Sequence, residues 1–179
     1  MDKLFYITNI PTPYRNKRFN ILNEELKKVG ISLMVYYMAE NEPDRHWIVD
    51  KATFNYDYNI LKGIHPTIGG MYAHFNPGLF FRLLFKKYKY AVVGGMGCPS
   101  YWVASFCIFG KKKILSVESN MDSVKVTKSI GFFFKRLLIS QYDTYQVTGK
   151  RSIEYLKYFQ PKLEENYITL PNIIEEEKY

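Results

Sequence analysis

Cysteine is scarce: only Cys98 and Cys107 occur in 179 residues. They stand nine apart with no His/Cys companions, which excludes a zinc-finger pattern and a disulfide framework. A reduced, cytosolic setting is the simplest reading. Long apolar runs are also missing, since none approaches the ~20 residues needed to span a bilayer. The opening "MDKLFYITNI" reads as a strand that begins at once, so no secretory leader is visible. No internal repeat or low-complexity segment occurs. Acid is missing from the centre, with no Asp or Glu between Asp57 and Glu118. It is missing again from the first helical pattern, which opens with Arg15, Lys17 and Arg18 and meets no acid before Glu24.

Apolar residue types make up 47% and charged ones 23% of the chain, the balance of a globular protein rather than a disordered one. The length suits one sizeable α/β domain with its own core. Aromatics reach 17%, which fits broad binding surfaces or membrane proximity. The net charge of +8 concentrates in the acid-free stretch, which carries Lys62, Arg82, Lys86, Lys87, Lys89, Lys111, Lys112 and Lys113. A basic body suggests an anionic partner such as a nucleotide, a phospholipid surface or nucleic acid. A merely solvated basic surface explains it equally well.

Strand and helix signals alternate along the chain. "KLFYITN", "ISLMVYYM", "FNYDYNIL", "KYAVVGG", "KKILSVES", "DTYQVTG" and "NYITLPN" read as strands. Thr12 can cap the first helix, Pro13 suits its first position and Gly30 ends it. "NPGLFFRLLFKKY", "PSYWVASFCIFG", "TKSIGFFFKRLLIS" and "KRSIEYLKYF" read as further helices. Such alternation predicts a parallel sheet in a Rossmann-like three-layer α/β fold, with helices on both faces. Ligands on such sheets bind at the carboxyl ends of the strands. The candidate loops are therefore Asn9–Arg15, Gly94–Tyr101, Glu118–Asp122 and Thr148–Ser152.

The motifs are individually weak. "GGMGCPS" follows a strand and opens a helix, but a dinucleotide fingerprint needs a third glycine where Ser100 stands. A turn allowing close approach of a ligand or a neighbouring loop is the better reading, with Gly95 and Gly97 as its residues. "VTGKRS" lacks the first glycine of a P-loop, and Arg151 replaces its Ser/Thr; Thr148 and Ser152 read as helix caps. Glu118 is the first carboxylate for sixty positions, at a strand end amid bases. It can act as a general base or orient a substrate hydroxyl, or simply pair with a lysine. His46, in "DRHW", is a candidate binding residue or an ordinary exposed histidine. On the helix around 128–139, Ile130, Phe133, Phe134, Leu137 and Leu138 form one stripe, read as the core face. Phe132 and Ile139 lie on the other face among Lys128, Lys135 and Arg136, a pattern that suits an anionic membrane surface or packing against a second layer.

In order and spacing these pieces resemble the N-terminal domain of GT-B glycosyltransferases, specifically the family 4 (group 1) retaining enzymes. The matching stretches are "TNIPTPYR", "PDRHW", "GGMGCPSYWVASF" with "KKKILSVESN", and "FFFKRLLISQYDTYQVTGKRSIEYLKYF" running into "YITLPNII". The resemblance spans essentially the whole chain. It implies that residues 1–179 are a single Rossmann-like acceptor-side lobe, and that the donor-binding domain has no counterpart within them. It implies a cytoplasmic hexosyltransferase for cell-surface polysaccharide or glycolipid, working at the inner face of the membrane. The donor is a nucleotide sugar, the acceptor a glycan or lipid-linked glycan, and the chemistry needs neither metal nor cofactor. Asn9, Thr12, Pro13, Tyr14, Arg15, His46, Gly95, Gly97, Ser119 and Asn120 are then the acceptor- or phosphate-binding residues. Many relatives carry a histidine near the strand end that here reads "SVES", and Glu118 is the substitute taken as catalytic. The cations of the first helix would face the cleft, where a bound phosphate offsets their unfavourable place at a positive helix end. The alternative is a free-standing flavodoxin-like binding module, not an enzyme, for an anionic ligand or nucleic acid. Nucleic acid is disfavoured because the bases do not form one stripe.

Overall fold

The computed structural model describes residues 2–45, 49–85, 88–108, 112–124, 130–161, 163 and 166–170. The elements run β1 (Asp2–Thr8), α1 (Pro13–Lys28), β2 (Ile31–Tyr37), β3 (Asp57–Ile60), β4 (Thr67–Ile68), β5 (Met71–Tyr72), α2 (Pro77–Phe85), β6 (Tyr90–Val93), α3 (Pro99–Cys107), β7 (Lys112–Val117), α4 (Ile130–Ile139), β8 (Thr144–Val147), α5 (Lys150–Phe159) and β9 (Tyr167–Thr169). Single 3-10 turns lie at Lys51–Thr53 and Met121–Ser123.

Seven strands form one sheet in the order β3-β2-β1-β6-β7-β8-β9, and every pairing in it is parallel. Strand periodicity splits the core into two. Leu4, Tyr6, Leu33, Val35 and Tyr37 point to one face and are covered by Phe19, Leu22 and Leu26 of α1. Phe5, Ile7, Tyr36, Ala91, Val93, Leu115, Val117 and Val147 point to the other, under α2, α3, α4 and α5. This is the Rossmann-like three-layer α/β fold that the alternation of elements predicts. The winding reverses between β1 and β6, so a crevice opens at their carboxyl ends.

Local chemistry explains the ends of the elements. Thr12 accepts a hydrogen bond from the Arg15 amide at 3.4 Å and Pro13 follows it, a standard helix start. Gly30, at φ 72°, ends α1. Gly69 and Gly70, at φ 57° and 76°, turn the β4–β5 hairpin, a second sheet that the strand periodicity does not reveal. Gly94 donates its amide to the Ile7 carbonyl at 2.8 Å, and a Cβ there would sit 2.8 Å from that same oxygen. In "GGMG" the close approach is therefore at Gly94, against β1. Gly95 instead lies against the Tyr101 ring, and the space beside Gly97 is open.

The phase of α4 differs from the expectation. Of its expected core stripe, Leu138 is buried and Phe134 half-buried, but Ile130, Phe133 and Leu137 are 89%, 64% and 49% exposed, whereas Ile139, expected on the far face, is fully buried. Phe132 is half-buried, with its ring 5.2 Å from that of Phe159. Lys135 is half-buried and donates to the Tyr155 hydroxyl at 3.0 Å. Of the residues assigned to a membrane-facing surface, Ile139, Phe132 and Lys135 therefore belong to the packing against α5 and the sheet. Arg136 is exposed, and Lys128 lies outside the described residues. The wheel was apolar on two sides, and the docking of α5, invisible in a single helix, chose between them. Among the described residues no helix is long and apolar enough to cross a membrane.

Candidate functional site

Three of the sequence-derived residues meet across the crevice. Asn9 stands just past β1, Arg15 in the first turn of α1, and Glu118 just past β7. The Arg15 guanidinium donates one arm to Asn9 Oδ1 and reaches Glu118 Oε2 with the other at 3.4 Å. Arg15 is nearly buried, while the Glu118 side chain stays 34% exposed. Burial works against the Arg15 charge, but the electrostatic attraction of Glu118, and less so of the phenol oxygens of Tyr14, Tyr101 and Tyr6, outweighs it and raises its pKa. The structure thus holds a buried cation at the crevice floor and a carboxylate at its open edge.

Arg15, Lys17 and Arg18 take different roles in the fold. Arg18 lies under α1, donating to the Tyr6 hydroxyl at 3.2 Å and covering the rings of Tyr6 and Phe19. It packs inside the protein instead of lining the cleft. Lys17 is exposed and Arg15 carries Glu118. Internal partners therefore answer much of the charge loaded on this helix end.

Glu118 also borders a cleft of about 270 Å³ with Asn120, Thr148, Gly149, Lys150, Arg151 and Ser152. Its far wall is the N-terminus of α5, where Thr148 and Ser152 hydroxyls share a hydrogen bond at 2.9 Å. Arg151 is held by Asp122 at 2.5 Å. A carboxylate thus faces a helix end with partial positive charge and two bases, a polar cleft suited to hydroxyl- and phosphate-bearing ligands.

On the other side of Asn9 lies a set of residues that the sequence reading did not select. Glu42 Oε1 accepts from Asn9 Nδ2 at 3.2 Å and lies 2.9 Å from His74 Nε2. His74 Nδ1 lies 3.0 Å from His65 Nδ1. The hydrogen bond with His74 is the largest influence on Glu42 and holds its pKa below the usual carboxylate value, against the effect of burial. Their sequence signal is slight: two of three histidines flanking a Gly-Gly turn, and one acid in a polar loop.

The remaining assignments divide. Thr12 is buried as a cap, Pro13 is exposed at the helix start, and Tyr14, Ser119 and Asn120 are half-buried at the crevice. Gly95 and Gly97 lie past β6. His46 lies outside the described residues. Cys98 is buried, which pushes its thiol up to about 11 and leaves it a poor nucleophile. Among the described residues no group of three His, Cys, Asp or Glu converges to hold a metal ion.

Fold and crevice together define a Rossmann-like α/β lobe with a polar site at its strand ends. No protein-family model and no curated protein matches the chain. Among solved structures it is similar to a Listeria monocytogenes protein assigned as a UDP-N-acetylglucosamine 2-epimerase. The TM-score is 0.55 at 12% identity, over 92% of this chain and 44% of that one. The likeness is one of fold, and the chain spans less than half the length of that protein.

Proposed function

We propose that this chain is the acceptor-side lobe of a sugar-nucleotide-dependent glycosyltransferase of the family 4 retaining type, acting on a cell-surface glycan or glycolipid. The observation that carries this is the Asn9–Arg15–Glu118 bridge at the switch-point crevice, opening onto the cleft below α5. In this reading Glu118 accepts a hydrogen bond or proton from an acceptor hydroxyl. Arg15 holds that carboxylate in position, and Lys150 with the α5 N-terminus suits a phosphate. A second lobe, beyond these residues, would bind the donor, with basic side chains and helix ends in place of a metal. The nucleotide sugar in the neighbour's name supports this ligand class. It equally favours a second reading, inversion at C2 of a UDP-sugar without any acceptor. A non-catalytic anion-binding module is the third.

The test is Glu118→Gln in a chain carrying both lobes. Positioned acid–base catalysis contributes roughly 10²–10⁴-fold. The substitution should lower kcat at least ~10-fold and leave nucleotide-sugar affinity nearly intact. Unchanged kcat with a lowered Tm would make Glu118 only the ion-pair partner of Arg15.

The proposal includes an anionic membrane surface as a partner, carried by a face other than the one read from the helix wheel. Phe80, Phe81, Leu84 and Phe85 of α2, Trp102 and Phe106 of α3, and Ile130, Phe133 and Leu137 of α4 are all exposed. These helices cover the same face of the sheet, and Arg82 and Arg136 are exposed among them. Apolar side chains mixed with bases suit the boundary between acyl chains and anionic headgroups. A cytoplasmic location at the inner face of the membrane is part of the same proposal.

A further inference from the structure

The hydrogen-bonded chain that starts at Asn9 runs through Glu42 and His74 to His65. Glu42 with a depressed pKa is ionised near neutral pH and can only accept, so the proton between it and His74 sits on His74 Nε2. In the tautomer that carries its single ring proton on Nε2, His74 offers only a lone pair at Nδ1. In that tautomer the 3.0 Å contact between the two Nδ1 atoms is filled by donation from His65 Nδ1. That leaves the lone pair of His65 on Nε2, on a half-buried ring at the outer end of the chain. His74 is only 2% exposed and His65 is the end that solvent reaches.

We propose that Glu42, His74 and His65 form a tautomer-fixing relay that makes His65 Nε2 a binding position for a ligand hydroxyl, as part of the acceptor site proposed above. The hydroxyl donates to Nε2. No bond need break for binding. If the hydroxyl is deprotonated, its proton passes to Nε2 and the electron pair stays on oxygen. The Nδ1 proton of His65 can then move to His74 Nδ1, placing the positive charge beside the Glu42 carboxylate. Burial, the larger influence, lowers the His65 pKa, so the ring is neutral and able to accept at pH 7. Among the described residues, the charged and titratable groups around the relay are Arg45, 3.8 Å from Glu42 Oε2, Asp44 with Tyr72, which also interacts with Glu42, and Cys98, which feels the Glu42 charge and bonds the His74 backbone. Backbone bonds hold the histidines in place: the Ser100 amide donates to the His74 carbonyl, and Ile64 bridges Phe75 in both directions.

The relay is read directly by imidazole ¹⁵N NMR on the 179-residue chain at pH 7.5, with and without methyl α-glucopyranoside as the hydroxyl-bearing probe. The expected spectrum has His65 protonated on Nδ1 and His74 on Nε2, and the glycoside shifts the His65 Nε2 resonance. In Glu42→Gln the His65 tautomer preference is lost and the glycoside binds about tenfold more weakly, the loss of one hydrogen bond. A His65 ring protonated on Nε2 in the wild-type chain overturns the relay. The expected tautomers with no glycoside-induced shift at His65 overturn the hydroxyl site. Neither readout needs a donor lobe or turnover. An absent transferase activity beside an intact glycoside response would remove the proposed function and leave this site standing.

Discussion

At the scale of single residues, Arg15 and Glu118 set the expectations. Arg15 is nearly buried with one carboxylate for its charge, so Glu118→Ala should destabilise the fold by on the order of 1 kcal/mol, moderated by the exposure of Glu118. Chemical denaturation measures it, and a loss above about 3 kcal/mol would mean that the pair is structural first. Gly94→Ala places a Cβ 2.8 Å from the Ile7 carbonyl oxygen between two central strands. A cost of about 1–3 kcal/mol is expected, whereas Gly97→Ala, in open space, should be near neutral. Titration adds a sign. The folded pKa of Glu42 is depressed, so its contribution is present above the ordinary carboxylate pKa and is lost as pH falls through the folded value. His65 is also depressed in the fold, so the unfolded chain binds more protons just below pH 6.5. Stability should therefore fall as pH drops from 6.5, and the slope in that window should lessen in His65→Phe. A flat profile there would contradict the burial of His65. Glu118 was legible because an acid-free stretch isolates it. Glu42, His65 and His74 were not, because nothing in their local spacing says that a hairpin folds back to join them.

At the scale of elements, alternation and caps suffice to place the seven strands of the main sheet and the five helices found among the described residues. The "FNYDYNIL" strand begins only at Asp57, because the Asn55 amide donates to Asn20 Oδ1 at 3.0 Å and its carbonyl accepts from Asn23 Nδ2 at 2.7 Å, which ties that backbone to α1 instead of β2. The phase of α4 was illegible for a different reason. A helix rich in Phe, Leu and Ile nearly all round carries no unique inner stripe, and the stripe is chosen by what docks on it. Phe132 meets Phe159, Tyr158 and Phe133 at ring distances under 6 Å, while Ile130 is left 89% exposed. The vesicle experiment follows from this corrected phase. Sedimentation with phosphatidylglycerol-containing vesicles should weaken with salt and drop in an Ile130→Ser, Phe133→Ser double variant. Each base near an anionic surface contributes about 1 kcal/mol, so Arg136→Glu should weaken it several-fold. Undiminished binding by the double variant would remove this face as the anchor.

At the scale of the whole molecule, one parallel sheet with its winding reversal between β1 and β6 brings Asn9, Arg15 and Glu118 to one crevice, although Glu118 lies 103 residues from Arg15. Strand order follows from topology, which is why loops chosen as strand ends converged even though their individual motifs are weak. The direction of the chemistry does not follow from topology. Transfer of a sugar and inversion at C2 both use a nucleotide sugar, and they differ in whether an acceptor is consumed. The direct measurement is ¹H NMR of UDP-sugars incubated with a chain carrying both lobes, with and without a glycan or lipid-linked acceptor. The account predicts acceptor-dependent loss of the donor's anomeric signal and growth of a new glycosidic one with the same configuration, slowed at least ~10-fold by Glu118→Gln. Acceptor-independent conversion to the C2 epimer, at a rate indifferent to acceptor, would contradict it.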